Sequence, residues 1–301
     1  MSNDTPAEKL ITRFAPSPTG LLHLGHAYSA LFAGRLATSA GGQFILRIED
    51  IDPGRCRPEF EDAIIEDMAW LGLEWPQPVW RQSERMDVYG SALETLNGMD
   101  LLYPCFCTRK DIAAEISQSG AAPHLGHDGP DGPVYPGICK SLDGSTRAAR
   151  IAAGEPHALR LDMDAAIARA GTLTWHDRSR GEQTAEPEIF GDVVLARKDV
   201  ATSYHLAVTI DDAAQGVTLV TRGSDLFAAT HIHRLLQALL DLDVPEWHHT
   251  PLLANSDGER LAKRDRAFTL QAMREAGTDP EEIWAMAIRQ IARGAASANE
   301  L

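Results

Sequence analysis

Two histidines separated by a leucine and a glycine are the side chains best suited to chemistry near the start of the chain: His23 and His26, in H-L-G-H. An imidazole can donate a hydrogen bond to a phosphate oxygen as negative charge develops on it. Residues three apart share one face of a helix, and Gly25 between the histidines would let a ligand approach the backbone. The pair therefore predicts a phosphate-binding site.

The residues around this pair predict the elements that would position it. An apolar run ending at Phe14 predicts a buried strand, and P-S-P-T-G at 16–20 predicts a rigid turn. Leucines and aromatic residues from Leu21 to Phe32 then recur at helical spacing, so a helix is expected to begin near His23. Backbone N–H groups and the helix dipole attract anions at such a start, which places the histidines beside a bound phosphate.

Charged residues follow other predicted strands. The segment Q-F-I-L-R-I at 43–48 predicts a second strand, which ends at Glu49, and a further strand at 217–220 leads to Arg222. Ligands bind at the carboxyl ends of strands in open α/β sheets, so Arg13, Glu49 and Arg222 are expected at one sheet edge. Two arginines suit a carboxylate ligand, because each guanidinium offers a fork of N–H donors.

The segment Y-H-L-A-V-T-I-D-D, residues 204–212, predicts a buried strand in the middle of a parallel sheet. Asp211 and Asp212 would cap the end of that strand. Amphipathic spacing predicts helices over 58–72, 230–242 and 280–293.

Three of the four cysteines have a spacing typical of a metal site: Cys105 and Cys107 form Cys-x-Cys, and Cys139 follows. Thiolates are favoured ligands of tetrahedral zinc, and three of them leave one position for another side chain. His124 and His127 are the ordinary candidates for that position.

Charge and hydropathy limit the classes of protein. The 301 residues include 28 basic and 43 acidic side chains, a net charge of −15, which argues against a generally basic nucleic-acid coat. The first residues lack the apolar core of a signal peptide, and no apolar run is long enough to span a bilayer. We therefore expect a cytoplasmic protein with no membrane partner.

The motif R-F-A-P-S-P-T-G at 13–20, followed by H-L-G-H, resembles the HIGH signature of class I aminoacyl-tRNA synthetases in its glutamyl form. The resemblance runs from Arg13 to about residue 290 and implies an α/β fold with a Rossmann-type parallel sheet. The segment R-L-A-K-R at 260–264 resembles the second signature, KMSKS. Arg260, Leu261 and Ala262 depart from that pattern, whereas Lys263 keeps the essential charge.

The resemblance also implies substrates and the residues that bind them. ATP, with Mg²⁺, would meet His23, Gly25, His26 and Lys263, of which His23, His26 and Lys263 would be catalytic. Glu49 would hold the α-ammonium group of L-glutamate, and Arg13, Tyr204 and Arg222 its carboxylates. The implied glutamate-binding set is Arg13, Phe14, Ala15, Pro16, Ser17, Glu49, Tyr204 and Arg222.

Two further segments resemble the shortened glutamyl-queuosine branch of this family: Ile-Asp-Pro at 51–53, and Cys-x-Cys followed by Tyr-x-x-x-Cys. In that branch the tyrosine is the fourth ligand, which implies one structural zinc on Cys105, Cys107, Tyr135 and Cys139. The branch transfers glutamate to queuosine in the anticodon loop of tRNA(Asp), and we expect a monomer without an anticodon-binding domain.

The same resemblance divides the chain into four parts. Residues 1–104 and 201–240 would form the two halves of the catalytic domain, separated by an inserted zinc-containing, acceptor-binding subdomain at 105–200. Residues 241–301 would carry the KMSKS-like loop and a short helical segment that contacts the RNA stem.

Two other functions fit these motifs. One is a synthetase that glutamylates the 3′ end of tRNA without recognising the anticodon. The other is a non-catalytic RNA-binding relative, suggested by the altered R-L-A-K-R segment and the net charge of −15.

Overall fold

A computed structural model describes residues 9–119, 128–253 and 269–298, in which the chain forms twelve strands and ten α-helices. The strands are β1 (Ile11–Phe14), β2 (Gln43–Ile48), β3 (Trp80–Arg81), β4 (Leu102–Cys105), β5 (Asp128–Gly129), β6 (Gly132–Pro133), β7 (Ala158–Leu161), β8 (Thr174–Asp177), β9 (Gly181–Thr184), β10 (Val194–Ala196), β11 (Leu219–Gly223) and β12 (Glu246–Thr250). The helices are α1 (Leu24–Ser39), α2 (Pro58–Trp70), α3 (Met86–Gly98), α4 (Arg109–Ser119), α5 (Gly144–Ala152), α6 (Met163–Ala170), α7 (Tyr204–Ala214), α8 (Ala229–Leu239), α9 (Leu270–Glu275) and α10 (Pro280–Ala298).

Seven strands form the main sheet in the order β3-β2-β1-β11-β12-β8-β9. Every pairing in this sheet is parallel except that of β8 with β9. The carboxyl ends of β1, β2 and β11 therefore meet at one edge, as the sequence predicts for Arg13, Glu49 and Arg222. The α/β class with a mostly parallel sheet is confirmed.

Helix α1 packs closely on β1 because small residues face the sheet. Ala27, Ala30 and Ala33 are fully buried, and the Thr12 hydroxyl donates to the Ala33 carbonyl over 2.9 Å. On the other side of α1, Trp284 of α10 stacks on Tyr28 with the ring centroids 5.6 Å apart. The start of α1 is thus held firmly against the sheet edge.

The predicted strand over residues 204–212 is wrong, because this segment is helix α7. Ser203 is the N-cap, and its hydroxyl accepts a hydrogen bond from the Leu206 amide. The helix is buried on almost every side, so its apolar run lacks the polar face that normally distinguishes a helix from a buried strand. Asp211 and Asp212 accordingly lie inside a buried helix and do not cap a strand.

The predicted inserted region, 105–200, contributes strands to three sheets, one of which is the two-stranded sheet of β5 and β6. Strands β7 and β10 form a separate antiparallel sheet with β4, whereas β8 and β9 extend the main sheet next to β12. Residues 174–184 therefore belong to the same sheet as the catalytic strands. The four-part division of the chain stays a prediction.

The remaining predicted elements lie close to where the periodicity places them. Helix α2 covers 58–70 and helix α8 covers 229–239, and α10 begins at Pro280. In the part of the chain that the structure describes, we find no helix with the length and apolar character needed to cross a membrane.

Candidate active site

The two histidines build the start of α1. His23 is the N-cap, and its Nδ1 accepts from the Gly25 amide over 3.1 Å, while His26 Nδ1 accepts from the His23 amide over 3.2 Å. The rings lie with centroids 3.9 Å apart. Because both Nδ1 atoms accept hydrogen bonds, a neutral ring at either position carries its proton on Nε2, the nitrogen that can donate to a phosphate.

Gly25 serves this arrangement directly. A Cβ at this position would lie 3.0 Å from Cε1 and 3.2 Å from Nδ1 of His23, so a larger residue would displace the ring. A glycine at this position therefore leaves room for the His23 ring, and Gly25 also lines a cavity at the histidines.

A cavity of about 120 Å³ lies beside the histidines, between the first turns of α1 and residues 251–253. Thr269 forms a β-bridge with His23, and the Leu270 amide donates to the Leu22 carbonyl over 2.9 Å. Leu253 and Thr269, the described residues on either side of 254–268, therefore both lie at the histidine site. Lys263, Arg260 and Ala262 belong to that segment and lie outside the described residues, so the predicted role of Lys263 is a proposal below.

The turn after β1 connects this site to Glu49. The Pro16 carbonyl accepts from the Glu49 amide over 3.0 Å, and the Ser17 carbonyl accepts from the Thr19 amide over 2.8 Å. Phe14 and Pro16 are buried, whereas Ala15 is half-buried and Ser17 is exposed. The turn thus brings Glu49 to the end of β1, as predicted.

Arg13 is neutralised by Asp212, which the sequence predicts at the end of a strand and the structure places in helix α7. Its Nε and Nη2 atoms donate to the two carboxylate oxygens of Asp212 over 3.1 and 3.2 Å, and Nη1 donates to the Thr221 carbonyl over 3.1 Å. Burial would raise the pKa of Asp212, but the charges of Arg13 and Arg47 outweigh it and hold this pKa below its ordinary value.

Arg47 links this ion pair to Glu49. Its fully buried guanidinium donates to Asp212 over 2.7 Å, to Glu49 over 3.4 Å and to Gln215 over 2.8 Å. Burial raises the pKa of the Glu49 carboxyl, and Arg47 and Arg13 oppose that shift. Among the described residues, Glu49 is therefore a buried acid with one long contact to a cation, and a second cation would stabilise its charged form.

Arg222 has a different set of partners. The guanidinium is buried and donates to His249 Nε2 over 3.1 Å, Tyr204 Oη over 3.3 Å, His233 Nδ1 over 3.2 Å and Thr230 Oγ1 over 2.7 Å. None of these partners among the described residues is a carboxylate. A buried cation surrounded by neutral acceptors is a strong site for an anionic ligand.

The histidines around Arg222 stay neutral. Burial and the charge of Arg222 lower the pKa of His249 to about 4, although Asp177 opposes the shift, and they lower the pKa of His233 well below its ordinary value. His233 is not paired with His231, whose Nδ1 accepts from the Glu186 amide over 3.1 Å. Four further residues belong to this pocket and are not predicted from the sequence: Asp177, Asp212, His233 and His249.

The predicted metal ligands come together at the end of strand β4, whose last residue is Cys105. The sulfur atoms of Cys105, Cys107 and Cys139 lie within 4.8 Å of one another. Tyr135 Oη lies 3.4 Å from Cys105 Sγ and 3.6 Å from Cys107 Sγ, and the Cys107 and Cys139 sulfurs are 3.4 Å apart. Tetrahedral zinc with ordinary bond lengths would separate two sulfur ligands by about 3.8 Å, and a sulfur from an oxygen by about 3.5 Å.

These distances fit zinc with Tyr135 as the fourth ligand. The alternative ligands, His124 and His127, lie outside the described residues. Arg160 lies over the Tyr135 ring, with its Cζ atom 3.8 Å from the centroid, which places a cation beside the predicted ligands. Cys56 lies elsewhere in the sequence and is not a member of this cluster.

The fold and the site now define a class. A family model described as tRNA synthetases class I (E and Q), catalytic domain, matches residues 9–300. The chain therefore belongs to this family of class I aminoacyl-tRNA synthetases, which are ligases.

Two individual relatives indicate which branch of the family this chain resembles. A Rhodobacter capsulatus protein named glutamyl-Q tRNA(Asp) synthetase is 50% identical over 279 residues, which cover 91% of this chain and 98% of that protein. A protein of the same name from Symbiobacterium thermophilum is 44% identical over 283 residues, covering 91% of this chain and 84% of that protein. The resemblance to the glutamyl-queuosine branch is thus confirmed.

A solved structure of a glutamate tRNA ligase is also similar to this chain. The glutamate tRNA ligase from Elizabethkingia meningosepticum, in complex with its amino acid, superposes with a TM-score of 0.71 at 31% identity. The match covers 86% of this chain and 52% of that protein, so the present chain spans about half of its length.

Proposed function

We propose that the protein activates L-glutamate with ATP as glutamyl-adenylate and transfers the glutamyl group to queuosine in the anticodon loop of tRNA(Asp). The observation that carries the amino-acid part is the buried Arg222 guanidinium, which meets only neutral acceptors among the described residues. The acceptor part rests on the relatives named glutamyl-Q tRNA(Asp) synthetase.

The proposed ATP site is the start of α1. ATP, as its magnesium complex, would lie with its phosphates at Gly25 and the Nε2 atoms of His23 and His26. Lys263 would reach the same phosphates, because the described residues that flank its segment, Leu253 and Thr269, both lie at the histidine site. Cations and N–H donors placed here stabilise the charge that develops on the phosphates.

Glutamate would bind along the carboxyl ends of the strands. Its α-ammonium group would lie on Glu49, which stands at the end of β2 near the turn of residues 14–17. Its carboxylates would meet Arg222, Tyr204 and the Arg13–Asp212 pair. Arg222 is the stronger of the two carboxylate-binding arginines, because an acid already neutralises Arg13.

In this arrangement an oxygen of the α-carboxylate forms a bond to the α-phosphorus of ATP, and the bond to pyrophosphate breaks with its electron pair leaving on pyrophosphate. A hydroxyl of the acceptor then forms an ester with the glutamyl carbon, its proton is released, and AMP leaves. The protein aligns the reactants and stabilises charge, and it forms no covalent bond itself.

Zinc would be held by Cys105, Cys107, Tyr135 and Cys139. Four protein ligands close a zinc site to substrates, so its contribution would be to hold β4 and the segment before α5 together. The role would therefore be structural.

The acceptor would be a hydroxyl of the cyclopentene ring of queuosine. RNA loops suit an enzyme pocket, because an unstacked base can be turned out and read on its edges. We place the reaction in the cytoplasm, with the protein acting as a monomer.

Four RNAs test the acceptor: tRNA(Asp) with and without queuosine, each with and without its 3′-terminal adenosine. Labelled glutamate should enter both queuosine-containing RNAs, and nuclease mapping should place it in the anticodon loop. Labelling that needs the 3′-terminal adenosine and is indifferent to queuosine would instead identify an enzyme that glutamylates the 3′ end.

A further inference from the structure

We propose that Asp177 and His249 position the Arg222 guanidinium for the substrate carboxylate, as a carboxylate–imidazole–guanidinium chain. The inference rests on the proposed function, because it takes Arg222 as a contact of glutamate. Neither Asp177 nor His249 is itself placed in contact with the substrate.

The donors and acceptors of the chain define the state of His249. Arg222 Nε can only donate, so His249 Nε2, 3.1 Å away, must accept and carry no proton. The proton of the neutral ring is then on Nδ1, which donates to Asp177 over 2.6 Å. The side chains of both His249 and Asp177 are fully buried.

Asp177 is fixed in turn by the backbone. Its Oδ1 accepts from the amides of Ser179 and Arg180, over 2.8 and 3.1 Å, and its Oδ2 also accepts from the His249 amide over 3.2 Å. This carboxylate therefore lies at the end of β8 in one orientation, and it aligns the imidazole that it binds.

The consequence is an oriented guanidinium that contacts no carboxylate among the described residues. Asp212 neutralises Arg13 by direct contact, whereas Asp177 acts on Arg222 only through a neutral ring. A carboxylate arriving at Arg222 can therefore form forked hydrogen bonds without displacing an acid of the protein. Pre-organisation of this kind lowers the entropy lost on binding.

Two substitutions at His249 separate positioning from packing. In His249→Gln the amide oxygen can occupy the place of Nε2 and accept from Arg222, but the bond to Asp177 is lost. In His249→Asn the amide lies near the place of Nδ1, so it can donate to Asp177 but cannot reach Arg222. Positioning predicts that the glutamine variant retains more glutamate affinity, whereas a merely structural role predicts the reverse order.

His231→Asn is the matched control. His231 is also buried, and its ring packs on Trp175 and Phe227, as that of His249 does. In the described structure His231 forms no hydrogen bond with Arg222, and its Nδ1 accepts one from the Glu186 amide. The control therefore removes a buried imidazole from the same aromatic surroundings.

The measurement is glutamate-dependent ATP–pyrophosphate exchange, with KM determined separately for glutamate and ATP, and glutamate binding by calorimetry. We expect His249→Asn to raise KM and Kd for glutamate by about tenfold or more, as for loss of a contact to a charged group, with KM for ATP unchanged. His249→Gln should lie between that variant and the wild type, and His231→Asn should match the wild type.

The outcomes separate the two proposals. An active wild type whose His249→Asn variant keeps its glutamate KM would overturn the positioning role alone. Equal increases in KM for glutamate and ATP, or the same loss in His231→Asn, would also overturn it. A wild type without glutamate-dependent exchange would contradict the proposed function, and with it the role of Arg222 on which this inference depends.

Discussion

The histidine site and the arginine pocket hold their side chains in different ways. His23, Gly25 and His26 bond to one another around a single helix start, and both rings remain partly exposed. In the pocket, Arg13 reaches Asp212 on a distant helix and Arg222 reaches His249 on the neighbouring strand, all of them buried. A substitution at the histidines should therefore act locally, whereas one in the pocket leaves buried groups without partners.

Of the substitutions considered, Arg222→Gln should lower activity with glutamate the most. It removes the charge expected to bind a substrate carboxylate, so kcat/KM for glutamate should fall by about a thousandfold, the scale for a buried charge pair. KM for ATP should stay within about twofold, because the histidine site is separate. Pyrophosphate exchange measures both constants.

The matched control is Arg178→Gln. Arg178 is more exposed and pairs with Glu246 on β12, so its replacement should leave both constants near those of the wild type. An Arg222→Gln variant with ordinary glutamate kinetics would show that glutamate binds elsewhere.

Lys263→Ala should impair catalysis at the ATP phosphates and leave glutamate binding unchanged. We expect the rate of exchange to fall by about a hundredfold, as for loss of a charge that meets the transition state. KM for glutamate should change little. An unchanged rate would remove Lys263 from the mechanism.

His23→Asn should separate helix capping from phosphate binding. Asparagine is a good N-cap, so α1 should begin normally and Tm should change little, while loss of Nε2 should lower the exchange rate by about tenfold or more. His23→Ala also removes the cap and should lower the free energy of unfolding by about 1 kcal/mol. If the asparagine variant kept the wild-type rate, the histidine would only cap the helix.

The zinc site should have the smallest effect on exchange. One zinc per chain is expected in protein purified without chelator, and Cys105→Ser should lower Tm by several degrees through loss of a metal ligand. The rate of exchange at low temperature should stay within about twofold, because none of the four predicted ligands is among the described hydrogen-bond partners of Arg222. Metal-free protein of equal thermal stability would contradict the zinc assignment.

Local signals explain what the sequence could predict. The strand before residue 15, the P-S-P-T-G turn and the helix that begins after His23 all depend on neighbouring residues, and the structure places them within a residue or two of the prediction. The edge that gathers Arg13, Glu49 and Arg222 follows from the geometry of parallel strands.

The pocket could be predicted only in part, because its partners are distant in the chain. Asp212 was assigned to a strand end, since a helix buried on every side has no polar stripe to reveal it. Ser203 was a usable signal, because serine is a preferred N-cap. Arg47 was another, since a charge inside the apolar strand Q-F-I-L-R-I requires a buried partner.

The predicted metal site, too, could be predicted only in part from local spacing. The cysteines could be grouped from their spacing, but local reasoning favoured His124 or His127 as the fourth ligand. Only the family resemblance selected Tyr135, whose hydroxyl lies 3.4 Å from Cys105 Sγ. A tyrosine ligand carries no general spacing signal, because its position depends on how the chain returns to the cluster.

The central claim is that the arginine pocket, the histidine site and Lys263 activate glutamate without any RNA. Pyrophosphate exchange without any tRNA tests this most directly, with glutamate and glutamine compared at equal concentration. We predict clear exchange with glutamate and at least about a hundredfold less with glutamine, because its neutral amide cannot replace a carboxylate at Arg222. Equal exchange with glutamine, or none with glutamate until RNA is added, would contradict the account.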